Sequence, residues 1–96
     1  MSEPAPDQRA RRRVVVSGRV QGVFFRDSTR REALARDVAG WVCNRADGAV
    51  EAVFEGSPEA VEALVEFCAR GPRGAEVRDV TTSKEEPEGL RRFEVR

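Results

Sequence analysis

The stretch VVVSGRVQGVFFRD, from Val14 to Asp27, passes from an apolar segment to a charged one through two glycines. Its three consecutive valines predict a buried strand over Arg13 to Ser17. Gly18 and Gly22 frame the segment that follows, and glycine adopts backbone conformations that other residues avoid. Good helix formers begin at Phe25, so the stretch predicts a strand, a glycine loop and a helix in direct succession.

The composition of the 96-residue chain indicates one globular domain, since 40% of its residues are hydrophobic and 35% are charged. The 17 basic and 17 acidic residues cancel, which argues against a nucleic-acid or membrane partner. Residues 1–12 show no periodicity and no secretory signal, so we expect a disordered tail, a domain over 13–96 and a cytoplasmic protein. We expect the arginines near the tail to be solvated, although they could contact an anionic partner: Arg9, Arg11, Arg12 and Arg13.

The chain contains no histidine, which removes the commonest general base and the commonest zinc ligand. Its two cysteines, Cys43 and Cys68, do not form a CxxC pair. We therefore expect two partly buried thiols rather than a disulfide or a metal site.

The first helix is predicted from Phe25 to Val38, ended by Gly40, with an apolar stripe of Phe25, Thr29, Ala33 and Leu34. A strand over WVCNR and a strand over AVEAVFE follow it. Asp47-Gly48 lies between them and predicts a two-residue hairpin with positive φ at both positions.

The second helix has the clearest signals of the chain, with Ser57 as its cap, Pro58 at its first position and Glu59 in its first turn. Its apolar face is expected to contain Val61, Leu64, Val65 and Cys68. Gly71-Pro72 ends it, and strands are predicted over AEVRDVTTS and RRFEV.

The predicted order is β-α-β-β-α-β with a short closing strand, which is typical of a ferredoxin-like α+β sandwich. In this arrangement two helices cover one face of a mostly antiparallel sheet, and strand three lies between the parallel strands one and two. Parallel strands end at the same edge of a sheet. The loop after Ser17 and the region around Asn44 are therefore expected at one edge.

The glycine loop can present unpaired N–H groups to an anion, because it leads from a strand into a helix N-terminus. Arg26 lies in the first turn, where its guanidinium can point back over the loop and hold two phosphoryl oxygens. Alternatively the glycines only turn the chain, and Arg26 forms a surface ion pair. Spacing alone favours the two interpretations equally.

The segment GRVQGVFFR, Gly18 to Arg26, resembles the signature of the acylphosphatase family. The similarity continues through Thr29, Gly40-Trp41, Asn44, DGAVEAVFEG, GPRGAEVRDV and the final FEV. It implies hydrolysis of carboxyl-phosphate anhydrides without metal or cofactor. By this resemblance Arg26 binds the phosphate, Asn44 orients the attacking water, and the backbone cradle consists of Gly18, Arg19, Val20, Gln21, Gly22 and Val23.

The resemblance also implies a small acyl phosphate as substrate and inorganic phosphate as product and competitive inhibitor; we expect a monomer. The chemistry suits a chain without histidine, because an acyl phosphate carries a good leaving group and needs positioning more than a strong base. Two alternatives are an RNA-binding module of the same fold and a carbamoyl-phosphate-handling domain. Where the family usually has Leu-Gly this chain has Arg36-Asp37, which predicts a shifted or weaker helix end.

Three aromatic residues near the loop are interpreted as packing residues. We expect Phe25, and with it Phe24, in the core rather than against substrate, and Trp41 packed on the sheet. Arg45 is left outside the site. Without the resemblance, Asn44 itself would be interpreted as a turn-forming asparagine before the hairpin.

Overall fold

The computed structural model describes residues 8–96, in which two helices and five strands alternate in the predicted order. The strands are β1 (Ala10–Arg19), β2 (Ala39–Asn44), β3 (Val50–Gly56), β4 (Glu76–Glu85) and β5 (Phe93–Val95). The helices are α1 (Phe25–Ala35) and α2 (Pro58–Arg70). The ferredoxin-like α+β fold is confirmed.

The sheet has the strand order β4-β1-β3-β2-β5. β3 pairs antiparallel with both β1 and β2, and β4 pairs antiparallel with β1. β1 and β2 are therefore parallel to each other with β3 between them, and β2 pairs in parallel with β5. This topology places the ends of β1 and β2 at one edge, as the element order predicts.

β1 begins at Ala10, three residues before the predicted start, so the expected tail is shorter than residues 1–12. The reason is pairing on both sides: Arg11 lies opposite Glu55 on β3 and Glu85 on β4. The part of the tail prediction that covers residues 1–7 lies outside the described residues.

The arginines of β1 are ion-paired rather than solvated, which corrects the expectation for them. Arg11 is 5% exposed and donates to Glu55 and Glu85 at 2.7 and 2.8 Å. Arg13 donates to Glu51 and Glu85 at 2.5 and 2.6 Å. Glutamates distant in sequence thus hold this part of β1 in the sheet.

α1 ends at Ala35, and the predicted end at Val38 with Gly40 as terminator is wrong. Asp37 takes the left-handed conformation, with φ 57, and its N–H donates to the Leu34 oxygen at 3.3 Å. The N–H of Val38 donates to the Ala33 oxygen at 2.8 Å, which completes a Schellman-type end. Leu34 is 54% exposed, so it does not belong to the buried stripe of α1.

The hairpin between β2 and β3 has a longer turn than Asp47-Gly48 predicts. The N–H of Arg45 donates to the Ala49 oxygen at 2.8 Å, and the N–H of Gly48 donates to the Arg45 oxygen at 3.2 Å. Among the described residues of this turn only Gly48 has positive φ, at 94°. The turn therefore has three residues, and the Asp47 carboxylate accepts from the N–H of Ala49 at 3.1 Å.

The core lies between the sheet and the two helices, and α2 contributes the residues predicted for it. Ser57 caps α2 by accepting from the N–H of Ala60 at 3.3 Å. Phe54 on β3 stacks on Phe93 of β5 with ring centroids 5.9 Å apart. The buried side chains of α2 are Val61, Leu64, Val65 and Cys68.

Both cysteines are free thiols; Cys43 is half-buried, as predicted, whereas Cys68 is completely buried rather than partly buried. Burial raises the pKa of the Cys68 thiol to about 12, which keeps it neutral. Neither helix in residues 8–96 is long and apolar enough to cross a bilayer.

Candidate active site

A pocket of about 450 Å³ opens at the sheet edge where β1 and β2 end. Arg26 reaches it from the first turn of α1, and Asn44 is the last residue of β2. The full lining is Val20, Gly22, Phe24, Phe25, Arg26, Asp27, Asn44 and Val95. The two side chains that the sequence singles out are thus brought to one cavity.

The start of the predicted cradle belongs to β1 rather than to the loop. Gly18 and Arg19 pair with Val77 and Glu76 of β4, after a shift in register at Ser17. A Cβ on Gly18 would lie 2.2 Å from the backbone oxygen of Glu76, so β4 requires a glycine there. Neither Gly18 nor Arg19 lines the pocket.

The segment that borders the pocket runs from Val20 to Phe24. Val20 is completely buried and anchors the loop in the core. Gly22 has φ 77 with no atom within 4 Å of an added Cβ, so its backbone conformation, and not crowding, favours glycine. Within residues 8–96 the N–H groups of Gly22 and Val23 have no backbone acceptor. Unpaired N–H groups beside a pocket are suited to binding an anion.

Gln21 ties this loop to the hairpin between β2 and β3. Its side-chain amide donates to the backbone oxygens of Arg45 and Ala49, at 2.8 and 2.9 Å. Asn44 lies directly before this hairpin turn. These two bonds tie the loop to the turn that directly follows Asn44.

Arg26 is half-buried, and its Nη1 donates to the backbone oxygen of Arg96 at 3.1 Å. The next residue, Asp27, forms an ion pair with Arg31 at 2.5 Å. This pair partly offsets a carboxylate that would otherwise repel an anion in the pocket. Among the described residues no Asp or Glu side chain forms an ion pair with Arg26, whose hydrogen bond goes to the main chain at Arg96.

Asn44 is exposed at the pocket, and its side chain has no hydrogen-bond partner in the described part of the chain. The turn that follows is closed by the Asp47 carboxylate instead. The interpretation of Asn44 as a turn-forming asparagine therefore has no support. Its amide is free to bind a water molecule or a substrate oxygen.

Phe24 is 81% exposed at the pocket, so the prediction of a core position for it is wrong. Phe25 is 2% exposed, as predicted. Two adjacent residues at a helix start point in different directions, and α1 turns Phe25 toward the core. Val95 is a further lining residue that the sequence analysis missed, because only the pairing of β5 beside β2 brings it to this edge.

Two other arginines near the loop take no part in the pocket lining. Arg19 pairs with Glu76 at 3.6 Å, and both side chains are 64% exposed. Arg45 pairs with Asp47 at 2.9 Å in the hairpin turn.

Trp41 packs on the sheet, as predicted. The guanidinium groups of Arg13 and Arg96 lie over its ring, at 5.4 and 4.8 Å from the ring centroid.

Comparisons with a family model and with curated proteins point to the same family. The family model described as "Acylphosphatase" matches residues 12–95. An acylphosphatase of Haloquadratum walsbyi is 53% identical over 90 residues, which cover 94% of this chain and 97% of the relative. An acylphosphatase of Pelotomaculum thermopropionicum is 61% identical over 72 residues, covering 75% and 78% of the two chains.

Solved structures agree with the sequence comparison. The structure of an acylphosphatase from Coxiella burnetii superposes with a TM-score of 0.88 at 38% identity, covering 94% of this chain and 95% of that one. The fold and these matches thus define the class of the protein, a small α+β hydrolase. The chain belongs to the acylphosphatase family, and its activity is the hydrolysis of acyl phosphates. Neither the fold nor these matches favour an RNA-binding module or a carbamoyl-phosphate-handling domain.

Proposed function

We propose that Arg26 binds the phosphoryl group of the acyl phosphate and that Asn44 orients the water that attacks it. The observation that carries this proposal is that both side chains line one pocket with Gly22. The segment from Val20 to Val23 supplies the backbone N–H groups of the cradle. Gly18 and Arg19, which the resemblance also assigns to it, act by setting the path of the chain into the loop.

The reaction needs little beyond this arrangement. Water attacks phosphorus, the bond from phosphorus to the bridging oxygen breaks, and the carboxylate leaves with that bonding electron pair. The proton of the attacking water passes to a phosphoryl oxygen, so the products are a carboxylate and inorganic phosphate. Catalysis consists of positioning and of stabilising charge on the phosphoryl oxygens.

Each residue contributes a separate part of this stabilisation. The guanidinium of Arg26 forms charge-assisted hydrogen bonds to phosphoryl oxygens, each worth about 1.5–3 kcal/mol. The N-terminus of α1 adds its positive dipole end. The carboxamide oxygen of Asn44 accepts a hydrogen bond from the water and fixes its direction of attack. No residue of the chain has to act as a histidine-like base.

We further propose that the protein acts as a monomer in the cytoplasm, independent of metal, nucleic acid and membrane. The equal numbers of acidic and basic residues support the independence from nucleic acid and membrane, since they give no overall attraction to polyanions. Inorganic phosphate, which shares the phosphoryl oxygens of the substrate, is expected to compete with it.

The proposal is tested by steady-state kinetics with acetyl phosphate. Asn44→Ala should lower kcat by about a hundredfold, which is the typical effect of losing one oriented hydrogen-bonding group, while KM changes little. Arg26→Ala should raise KM as well as lower kcat. Arg30→Ala, an exposed arginine on the same helix, is the matched control and should behave as the wild type. Near wild-type rates in the Arg26 and Asn44 variants, or loss of activity with a chelator, would contradict the proposal.

A further inference from the structure

The mouth of the pocket carries an apolar rim, which consists of Phe24 and Val95. In residues 8–96 the large hydrophobic side chains that remain exposed are Phe24, Leu34, Val80 and Val95. Two of these four line the same pocket. They come from opposite ends of the domain sequence, one from the start of α1 and one from β5, so their proximity arises only in the fold.

Phe24 occupies a position that is unfavourable for phenylalanine in three respects. Its ring is 81% exposed, and its backbone has φ 59 and ψ 27, in the left-handed region that favours glycine and asparagine. It also occupies the N-cap position of α1, where it makes no side-chain cap hydrogen bond. A residue that is unfavourable for both backbone and solvation, at the edge of a reactive pocket, indicates a functional contact.

A packing role does not account for this ring. Phe25 fills the core beneath α1 and is 2% exposed, whereas most of the Phe24 ring is in contact with solvent. Val20 and Phe25, which are buried, line the same pocket, so its lining contains both buried and exposed apolar side chains.

We propose that Phe24 and Val95 bind the acyl group of the substrate and favour apolar, above all aromatic, acyl phosphates. This inference rests on the proposed function. The cradle and Arg26 hold the phosphoryl group, and the acyl carbon is joined to it through a single bridging oxygen. The acyl group must therefore leave the cradle at the mouth of the pocket, where an aromatic ring can stack on Phe24.

The charges of the pocket agree with an uncharged acyl group. Apart from Arg26, which binds the phosphoryl group, the lining contains one charged side chain, the carboxylate of Asp27. An acyl group with a second carboxylate would find no cationic partner there. The expected substrates are therefore acyl phosphates of monocarboxylic acids whose acyl group is apolar.

The test compares kcat/KM for benzoyl phosphate and acetyl phosphate in the wild type and in Phe24→Asn. Asparagine tolerates the left-handed conformation and suits the N-cap position, so this variant removes the ring without straining the loop. The ratio of benzoyl to acetyl phosphate should fall about fivefold, mainly through KM for benzoyl phosphate, as expected for the loss of one aromatic contact. Val95→Thr, which keeps the shape of the side chain, should lower the ratio by a smaller factor.

Leu34→Ala is the matched control, because Leu34 is an exposed apolar residue of α1 that does not line the pocket. Its ratio should equal that of the wild type. An unchanged ratio in both Phe24→Asn and Val95→Thr would overturn the inference and leave the proposed function intact. Failure of the wild type to hydrolyse either substrate would instead contradict the proposed function.

Discussion

The side-chain amide nitrogen of Gln21 lies 2.8 Å from the backbone oxygen of Arg45, the residue that follows Asn44. A second bond from the same amide reaches the Ala49 oxygen at 2.9 Å. One side chain thereby joins the loop of the proposed cradle to the hairpin that carries Asn44. We expect this connection to fix the position of Asn44 relative to the loop.

Replacement of Gln21 is expected to reduce both stability and activity. Gln21→Ala removes two hydrogen bonds, each worth about 1 kcal/mol net, so the free energy of unfolding should fall by about 1–2 kcal/mol. The kcat for acetyl phosphate should fall about tenfold, because Asn44 is less well positioned. Gln21→Glu should lose at least as much, since a carboxylate would face two carbonyl oxygens. Unchanged kcat in both variants would show that the connection does not position Asn44.

Gly18 and Gly22 should respond differently to substitution by alanine. At Gly22 only the left-handed backbone opposes a Cβ, so Gly22→Ala should lower the free energy of unfolding by about 1–2 kcal/mol. At Gly18 the Cβ would meet the Glu76 oxygen at 2.2 Å, and β4 would have to move. Gly18→Ala should therefore cost more stability in urea denaturation. Equal losses would mean that the pairing of β1 with β4 adapts freely.

The buried pair of Arg11 and Glu55 should contribute far more to stability than an exposed pair. Glu55→Gln removes the completely buried carboxylate of the pair, so the Arg11 guanidinium keeps only the more exposed Glu85 and Glu88 as charged partners. Breaking a buried ion pair typically costs about 3–5 kcal/mol. Glu62→Gln is the matched control, because Glu62 pairs with Arg12 at 3.0 Å but is 54% exposed. In Glu62→Gln the free energy of unfolding should fall by less than about 1 kcal/mol. The comparison fails if urea denaturation gives similar losses for the two variants.

Acid should destabilise the protein through two glutamates of the same network. Hydrogen bonds from Arg13 and then Arg11 hold the pKa of Glu85 below its ordinary value of 4.5. Burial alone would raise the pKa of Glu55, but the N–H groups of the loop at residues 88–90 and the Arg11 guanidinium together lower it. Both carboxylates therefore stabilise the folded state above the ordinary pKa and lose this effect as the pH falls through their lower folded-state values.

The free energy of unfolding should accordingly be flat from pH 7 to about 5.5 and decline below about pH 4.5, with a slope of at most about 1.4 kcal/mol per pH unit for each proton bound. Urea denaturation across this range measures it. Glu85→Gln should make the acid slope shallower. An identical slope in wild type and variant would show that Glu85 does not contribute to the loss of stability in acid.

The sequence alone predicts most of the fold because its signals are local. The cap, proline and apolar spacing of α2 all lie within one helix, and the structure agrees with each of them. Strand order then places Arg26 and Asn44 at one edge from topology alone. The end of α1 shows the limit of such local signals. The sequence predicts that Gly40 terminates the helix, but Asp37 takes the left-handed cap conformation, so α1 ends before Gly40.

The remaining features depend on partners that are far apart in the chain. β1 starts at Ala10 because Arg11 meets glutamates on two neighbouring strands, and no local pattern reveals that register. Val95 reaches the pocket only because β5 pairs with β2. Sequence by itself determined the elements and their order, because these follow from neighbouring residues, and the resemblance to the family singled out Arg26 and Asn44. Only the tertiary structure decided which phenylalanine faces solvent and what surrounds the site, because those contacts exist only once the sheet has formed.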